Sequence, residues 1–214
     1  MTKILKAICL NSIDYRDNDR LLVLLSAENG KTVARIRSVK SPKSKLKAAA
    51  APNAYAEYTL NEKGGSYTVI GAEVIEQFFG TWTDPDKNLA AGVVTETLEK
   101  ITANGVGAEY EFAAGLKALF GINYGEGTPY IHSLRFLLDM LPSVGVDTEE
   151  LKLHSHTRAL FAAVRNAEEG ELECLEYEIR EILYGLSEAG RILAWNQSGE
   201  LKTMTALAAR MRAR

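Results

Sequence analysis

Seven cations lie between residues 31 and 47, Lys31, Arg35, Arg37, Lys40, Lys43, Lys45 and Lys47, and no Asp or Glu interrupts them. The chain as a whole leans the other way, with 25 Lys and Arg against 28 Asp and Glu and a formal net charge of -3. A run of ammonium and guanidinium groups without internal counter-ions suits a string of phosphates, because each contact releases condensed counter-ions. Arg35, Arg37, Lys40, Lys43, Lys45 and Lys47 are therefore the candidate nucleic-acid-binding residues. Arg35 and Arg37 stand two apart on a predicted strand and share its face. Tyr55 and Tyr58 follow on the next strand and offer aromatic surface for a base, but their spacing puts them on opposite faces, so one of them belongs to the core. Taken by itself, such a run also describes an ordinary solvated loop.

Other chemistries find less support. "DYRDND" (residues 14–19) holds three carboxylates but lacks the glycine and later glutamate of a calcium loop, and reads as a turn. "GVG" (105–107) and "GEG" (125–127) follow predicted helices rather than strands, so neither is a dinucleotide loop. There is no GxSxG, and Cys9 and Cys174 lie far apart with no CxxC, which predicts neither a disulfide framework nor a thiolate zinc site. Cys9 falls in a predicted strand; Cys174, early in a predicted helix between Glu173 and Glu176, sits where a thiolate is disfavoured. His154 and His156, two apart on a predicted helix, point away from each other. Trp82 and Trp195 flank the helical part and read as packing anchors. No catalytic residue, cofactor or metal site is expected.

The elements that must carry the basic run divide near Gly80. Residues 1–80 hold twelve Lys and Arg against eight Asp and Glu, a net of +4; residues 81–214 carry -7. Such asymmetry points the first part at a polyanion. Up to residue 79 the chain has period two: apolar runs at 3–10 and 20–26, the turn "AENG", a returning strand at 31–39, and a second hairpin from 53–60 and 66–74 with Gly71 at a bulge. In the returning strand Ala34 and Ile36 face one way, and Val33, Arg35, Arg37 and Val39 the other. Beyond residue 80 the period becomes 3.6. Asp84 and Pro85 open a helix with Gly105 as its stop, and helices follow over 110–120 with Gly121 as stop, 128–141, a segment opened by Asp147 and Glu150 at capping-box spacing, and 171–194. The predicted class is α+β, an OB-fold-like barrel over 1–80 followed by an all-α domain over 81–214. No apolar run is long enough to span a membrane and the N-terminus lacks a signal-peptide core, so a cytoplasmic protein is expected.

The stretch "SIDYRDNDRLLVLLSAENGKTVARIRSVKSPKSKL" (12–46) resembles the N-terminal part of the bacterial RecO family. The shared features are Asp14-Tyr15, Asp19-Arg20, Glu28-Asn29-Gly30-Lys31 and Lys40-Ser41-Pro42-Lys43-Ser44-Lys45, followed by "AEVIEQFFG" (72–80) at the end of the barrel and, more loosely, "GELKTM" (199–204). The resemblance implies a non-enzymatic recombination mediator that binds single-stranded DNA, with duplex DNA left open, and promotes annealing and repair. It implies RecR and the single-strand-binding protein as partners, RecA indirectly, and no membrane. Many members carry a four-cysteine zinc cluster after the helix ending here at Leu141; this chain has none of those cysteines. The alternative is a protein-interaction scaffold whose barrel no longer binds DNA and whose basic loop engages an acidic partner.

Overall fold

The computed structural model describes residues 1–147, 151–168, 170–196 and 199–212. Five strands, β1 (Thr2–Tyr15), β2 (Asp19–Ser26), β3 (Gly30–Ile36), β4 (Tyr55–Lys63) and β5 (Ser66–Glu76), close into a barrel in the order β1-β2-β3-β5-β4. All neighbours are antiparallel except β3 and β5, which run parallel over Ala34 to Ile36. This is the small OB-like barrel expected from the strand pattern. β1 extends past the expected residue 10 because Leu10 bulges between Cys9 and Asn11, which lets the first half of the strand pair with β4 and the second half with β2.

Alternation builds the interior. Leu5, Ala7, Cys9, Leu22, Leu24, Ala34, Ile36, Ala56, Tyr58, Leu60 and Val69 form one buried cluster, each large aliphatic contributing about 1.5–3 kcal/mol by leaving water. Burial pushes the Cys9 thiol up to about 12, so it stays protonated and inert. The β4–β5 turn uses Gly64 and Gly65, both at positive φ, as a two-residue hairpin requires. Thr59 opposes Gly71 while Leu60 opposes Val69, which leaves Ile70 as the extra residue of the expected bulge. Gly30, in the β2–β3 turn, has φ of +56°, and a Cβ there would lie 1.9 Å from the Val106 carbonyl oxygen. That close approach lets residues 103–108 stitch to the turn: Lys31 N–H donates to Ala103 at 3.0 Å and Ala108 N–H to Ala27 at 2.7 Å.

By compactness the chain forms two units, residues 1–78 with 102–116, and residues 79–101 with 117–214. The helices are α1 (Gly80–Thr83), α2 (Pro85–Ile101), α3 (Glu109–Tyr124), α4 (Tyr130–Met140), α5 (Ser155–Asn166), α6 (Ile179–Asn196) and α7 (Lys202–Arg212). Asp84 caps α2 as expected, its Oδ1 accepting from Asp86 N–H at 2.8 Å. α4 is the central helix, buried over Tyr130, Ile131, Ser133, Leu134 and Phe136 to Leu138, and it packs against α2, α5 and α6. None of the described helices is long and apolar enough to cross a membrane.

Several helix boundaries differ from the pattern-based expectation. Gly121 does not stop α3, which runs on to Tyr124; a Cβ at Gly121 would lie 2.3 Å from His132 Nδ1, so the glycine makes room for that ring. α2 ends at Ile101, before Gly105. Glu150 lies outside the described residues; α5 begins only at Ser155, with His154 in the N-cap position. The stretch expected as one helix over 171–194 opens with a 3-10 turn at Leu172–Cys174, which holds Cys174, and becomes helical at Ile179. α7 lacks an expected counterpart: its buried side is Leu207, among alanines and threonines that carry little periodic signal. Trp82 and Trp195 are 54% and 87% exposed, so they are surface residues and not packing anchors.

Candidate nucleic-acid interface

The basic loop leaves β3 at Ile36 and re-enters the barrel at Tyr55. Ser38, at φ +50°, turns the chain so that Val39, expected to face outward with the arginines, is buried. At the far end Ala49, Ala50, Ala51 and Ala54 are buried in the barrel's core cluster, with Leu46 packed against it. Only small side chains fit so close to the barrel, and that is the physical sense of "KAAAAP". The Tyr58 hydroxyl donates to the Ala49 carbonyl at 2.6 Å and Gln77 Nε2 to Ala48 at 2.9 Å. Ala50 N–H bonds to Leu46 at 3.1 Å and Ser44 N–H to Ser41 at 3.0 Å. The loop is thus anchored at both ends and internally bonded.

Its cations fall into two groups. Arg37, Lys43, Lys45 and Lys47 are exposed and have no ion pair among the described residues. Arg35 and Lys40 are half-buried and paired. Arg35 donates through Nε to Asp19 Oδ2 at 2.7 Å, with a second, very short contact from Nη2. Lys40 Nζ lies 2.8 Å from Asp14 Oδ2, and Arg20 Nε 3.1 Å from Asp14 Oδ1. The Ser38 N–H and the Arg35 guanidinium hold the Asp19 carboxyl below its usual range, and Lys40 does the same for Asp14. Both carboxylates stay charged at neutral pH; Asp19 offsets Arg35, and Asp14 is shared between Lys40 and Arg20. Lys31 is half-buried, its backbone tied to Ala103.

By composition "DYRDND" reads as a turn, and the chain does turn there between β1 and β2. The strand ends that flank the turn also supply the counter-ions of the loop root, Asp14 and Asp19: Asp14 pairs across from Arg20, Tyr15 from Asp19, and Leu21 from Arg35. Two acids on one hairpin facing a basic strand in that register were the available signal. The tyrosines on β4 are both occupied. Tyr58 is fully buried, its hydroxyl held protonated by burial; Tyr55 faces outward but meets the edge of Phe112, ring centroids 6.0 Å apart. No grouping of His, Cys, Asp and Glu suited to a metal is found among the described residues. His156 is engaged by Glu181 and His154 is exposed.

Comparison with known proteins agrees with this barrel. Residues 1–78 match the family model described as Recombination protein O N terminal. The DNA repair protein RecO of Desulfitobacterium hafniense is 36% identical over 114 residues, covering 53% of this chain and 42% of that protein. Those of Shouchella clausii and Bacillus subtilis are 29% and 28% identical over 149 and 145 residues, covering 70% and 67% of this chain and 58% and 56% of theirs. The chain spans about half the length of the curated relatives it matches. The closed barrel, the basic loop and these similarities converge on the same N-terminal residues: residues 1–78 are a barrel of the Recombination protein O N-terminal family, and the chain is similar to DNA repair protein RecO over about half of that protein's length.

Proposed function

We propose that this protein is a non-enzymatic recombination mediator that binds single-stranded DNA through the basic loop of its barrel and promotes strand annealing in repair. RecR and the single-strand-binding protein are its proposed partners, with RecA loading as the indirect consequence. The observation that carries the DNA-binding reading is the set of four exposed cations with no ion pair among the described residues, Arg37, Lys43, Lys45 and Lys47, on a loop pinned to the barrel. Anchoring lowers the entropy lost when phosphates engage.

Titration of a labelled oligothymidylate across a range of salt concentrations tests this. Four or five phosphate contacts on a single strand give a log–log slope of about -3, at about 0.7 per contact. Absence of binding, or binding indifferent to salt, overturns it. A second reading, a scaffold whose loop grips an acidic protein partner, draws on the two loop cations already paired within the barrel, Arg35 with Asp19 and Lys40 with Asp14; it predicts no affinity for the oligonucleotide.

A further inference from the structure

A cationic loop accounts for phosphate binding but leaves single-stranded DNA without a surface for its bases, and proteins of this kind supply one from aromatic side chains. The barrel residues 1–78 contain five aromatics. Tyr58 and Phe78 are fully buried, Tyr55 lies against Phe112, and Tyr67 packs on the barrel core. Tyr15 is the one that remains. It ends β1 at the tip of the first hairpin, half-buried, with the Arg16 guanidinium 5.2 Å from its ring centroid and that of Arg35 5.4 Å away.

The tip is fastened to the root of the basic loop. Lys40 N–H donates to the Asn18 carbonyl at 3.1 Å, Ser38 N–H to Asp19 Oδ1 at 2.8 Å, and the Asp14–Lys40 and Asp19–Arg35 pairs close the same junction. Arg16 itself is exposed and sits at φ +55°, a left-handed conformation that a glycine adopts without strain and an arginine does not. Backbone strain of this sort gathers at functional positions.

Resting on the DNA-binding reading above, we infer that Tyr15 and Arg16 form the base-contacting subsite of the interface, and that Arg35 and Lys40 are positioning residues that hold this hairpin against the loop. A base takes the place of the Arg16 guanidinium over the Tyr15 ring, and the released guanidinium meets the adjoining phosphate. The exchange trades one cation–π contact for a stacking contact and a phosphate contact. Arg35 and Lys40 stay with their carboxylates and release no counter-ions.

The test compares oligothymidylate with an abasic deoxyribose-phosphate strand of equal length. The intact protein is expected to prefer thymidylate by about tenfold, the size of a single stacking contact. Tyr15→Ala should bring that ratio to about one with the salt slope unchanged, and Tyr15→Phe, which keeps the ring face, should restore it. Arg16→Gly should weaken binding several-fold while its melting temperature stays level or rises, since glycine relieves the backbone; a drop in melting temperature would assign Arg16 a structural role and overturn its part. Arg35→Met and Lys40→Met should leave the salt slope as it was, whereas loss of a phosphate contact flattens it by about 0.7. Salt-dependent binding with no preference for thymidylate overturns the subsite alone. No binding at all overturns the DNA-binding reading with it.

Discussion

Asp19 bonds the Arg35 side chain through one carboxylate oxygen, Nε to Oδ2 at 2.7 Å, and the Ser38 backbone through the other at 2.8 Å. One acid thus fixes both the last outward arginine of β3 and the left-handed turn that starts the basic loop. Asp19→Asn is expected to lower the melting temperature at neutral pH. Because the Asp19 carboxyl lies below its ordinary 3.8 in the folded protein, its contribution is complete above that pH and is lost as the pH falls through the lower folded value. Melting curves of the two proteins should therefore converge in acid. A gap that persists undiminished at about pH 2 contradicts this assignment.

Tyr58→Phe keeps the buried ring and removes only the donor to the Ala49 carbonyl. Leaving that acceptor unpaired should cost about 1 kcal/mol, read by urea unfolding. The anchored end of the loop should also loosen, so that trypsin cleaves faster after Lys45 and Lys47. Equal cleavage rates in both proteins would show that this hydrogen bond does not restrain the loop.

In the helical unit, Gly121 and His132 share one space. Alanine raises helix propensity by up to about 1 kcal/mol over glycine, yet a Cβ at Gly121 would lie 2.3 Å from His132 Nδ1, and overpacking costs typically about 1–3 kcal/mol. Gly121→Ala should therefore destabilise, and His132→Ala in the same chain should recover part of the loss. Strictly additive effects in the double-mutant cycle would refute the clash.

His132 also predicts a pH dependence. Burial pulls its pKa below 6.5; Glu173 opposes that pull and Lys87 adds to it. Glu173 Oε1 lies 3.4 Å from His132 Nε2, but the nitrogen is buried without a hydrogen bond. The folded state thus favours the neutral ring, so the stabilisation is full above 6.5 and declines as the pH falls toward the lower folded value. His132→Phe should abolish the part of the melting-temperature decline that begins near pH 6.5. An unchanged decline points to another group.

The barrel was legible because its core obeys a strict period of two: Ala34 and Ile36 point inward, and Arg35 and Arg37 outward, as alternation dictates. Val39 broke that rule because the positive φ at Ser38, a backbone property that serine does not advertise, reverses the chain. The basic run was visible as composition, whereas the division between its paired and free cations was not, since it depends on the hairpin register that sets Asp14 and Asp19 beside Lys40 and Arg35. Helix ends misled where glycine answered to packing. Gly121 resembles a stop signal, but its lack of a side chain accommodates a histidine eleven residues further on.

The most direct test of the central claim reverses charge at Arg37, Lys43, Lys45 and Lys47 together and compares the result with reversal of Arg158, Arg165, Arg180 and Arg191 on α5 and α6. All eight side chains are exposed, and each change should alter stability by only about 0.5 kcal/mol. The account predicts that the loop variant loses at least about tenfold in affinity for single-stranded DNA and that its salt slope moves from about -3 toward zero, alike for unrelated sequences, while the helix variant stays close to the parent. Equal losses in the two variants would contradict it, because the loop would then be only one part of a general surface charge.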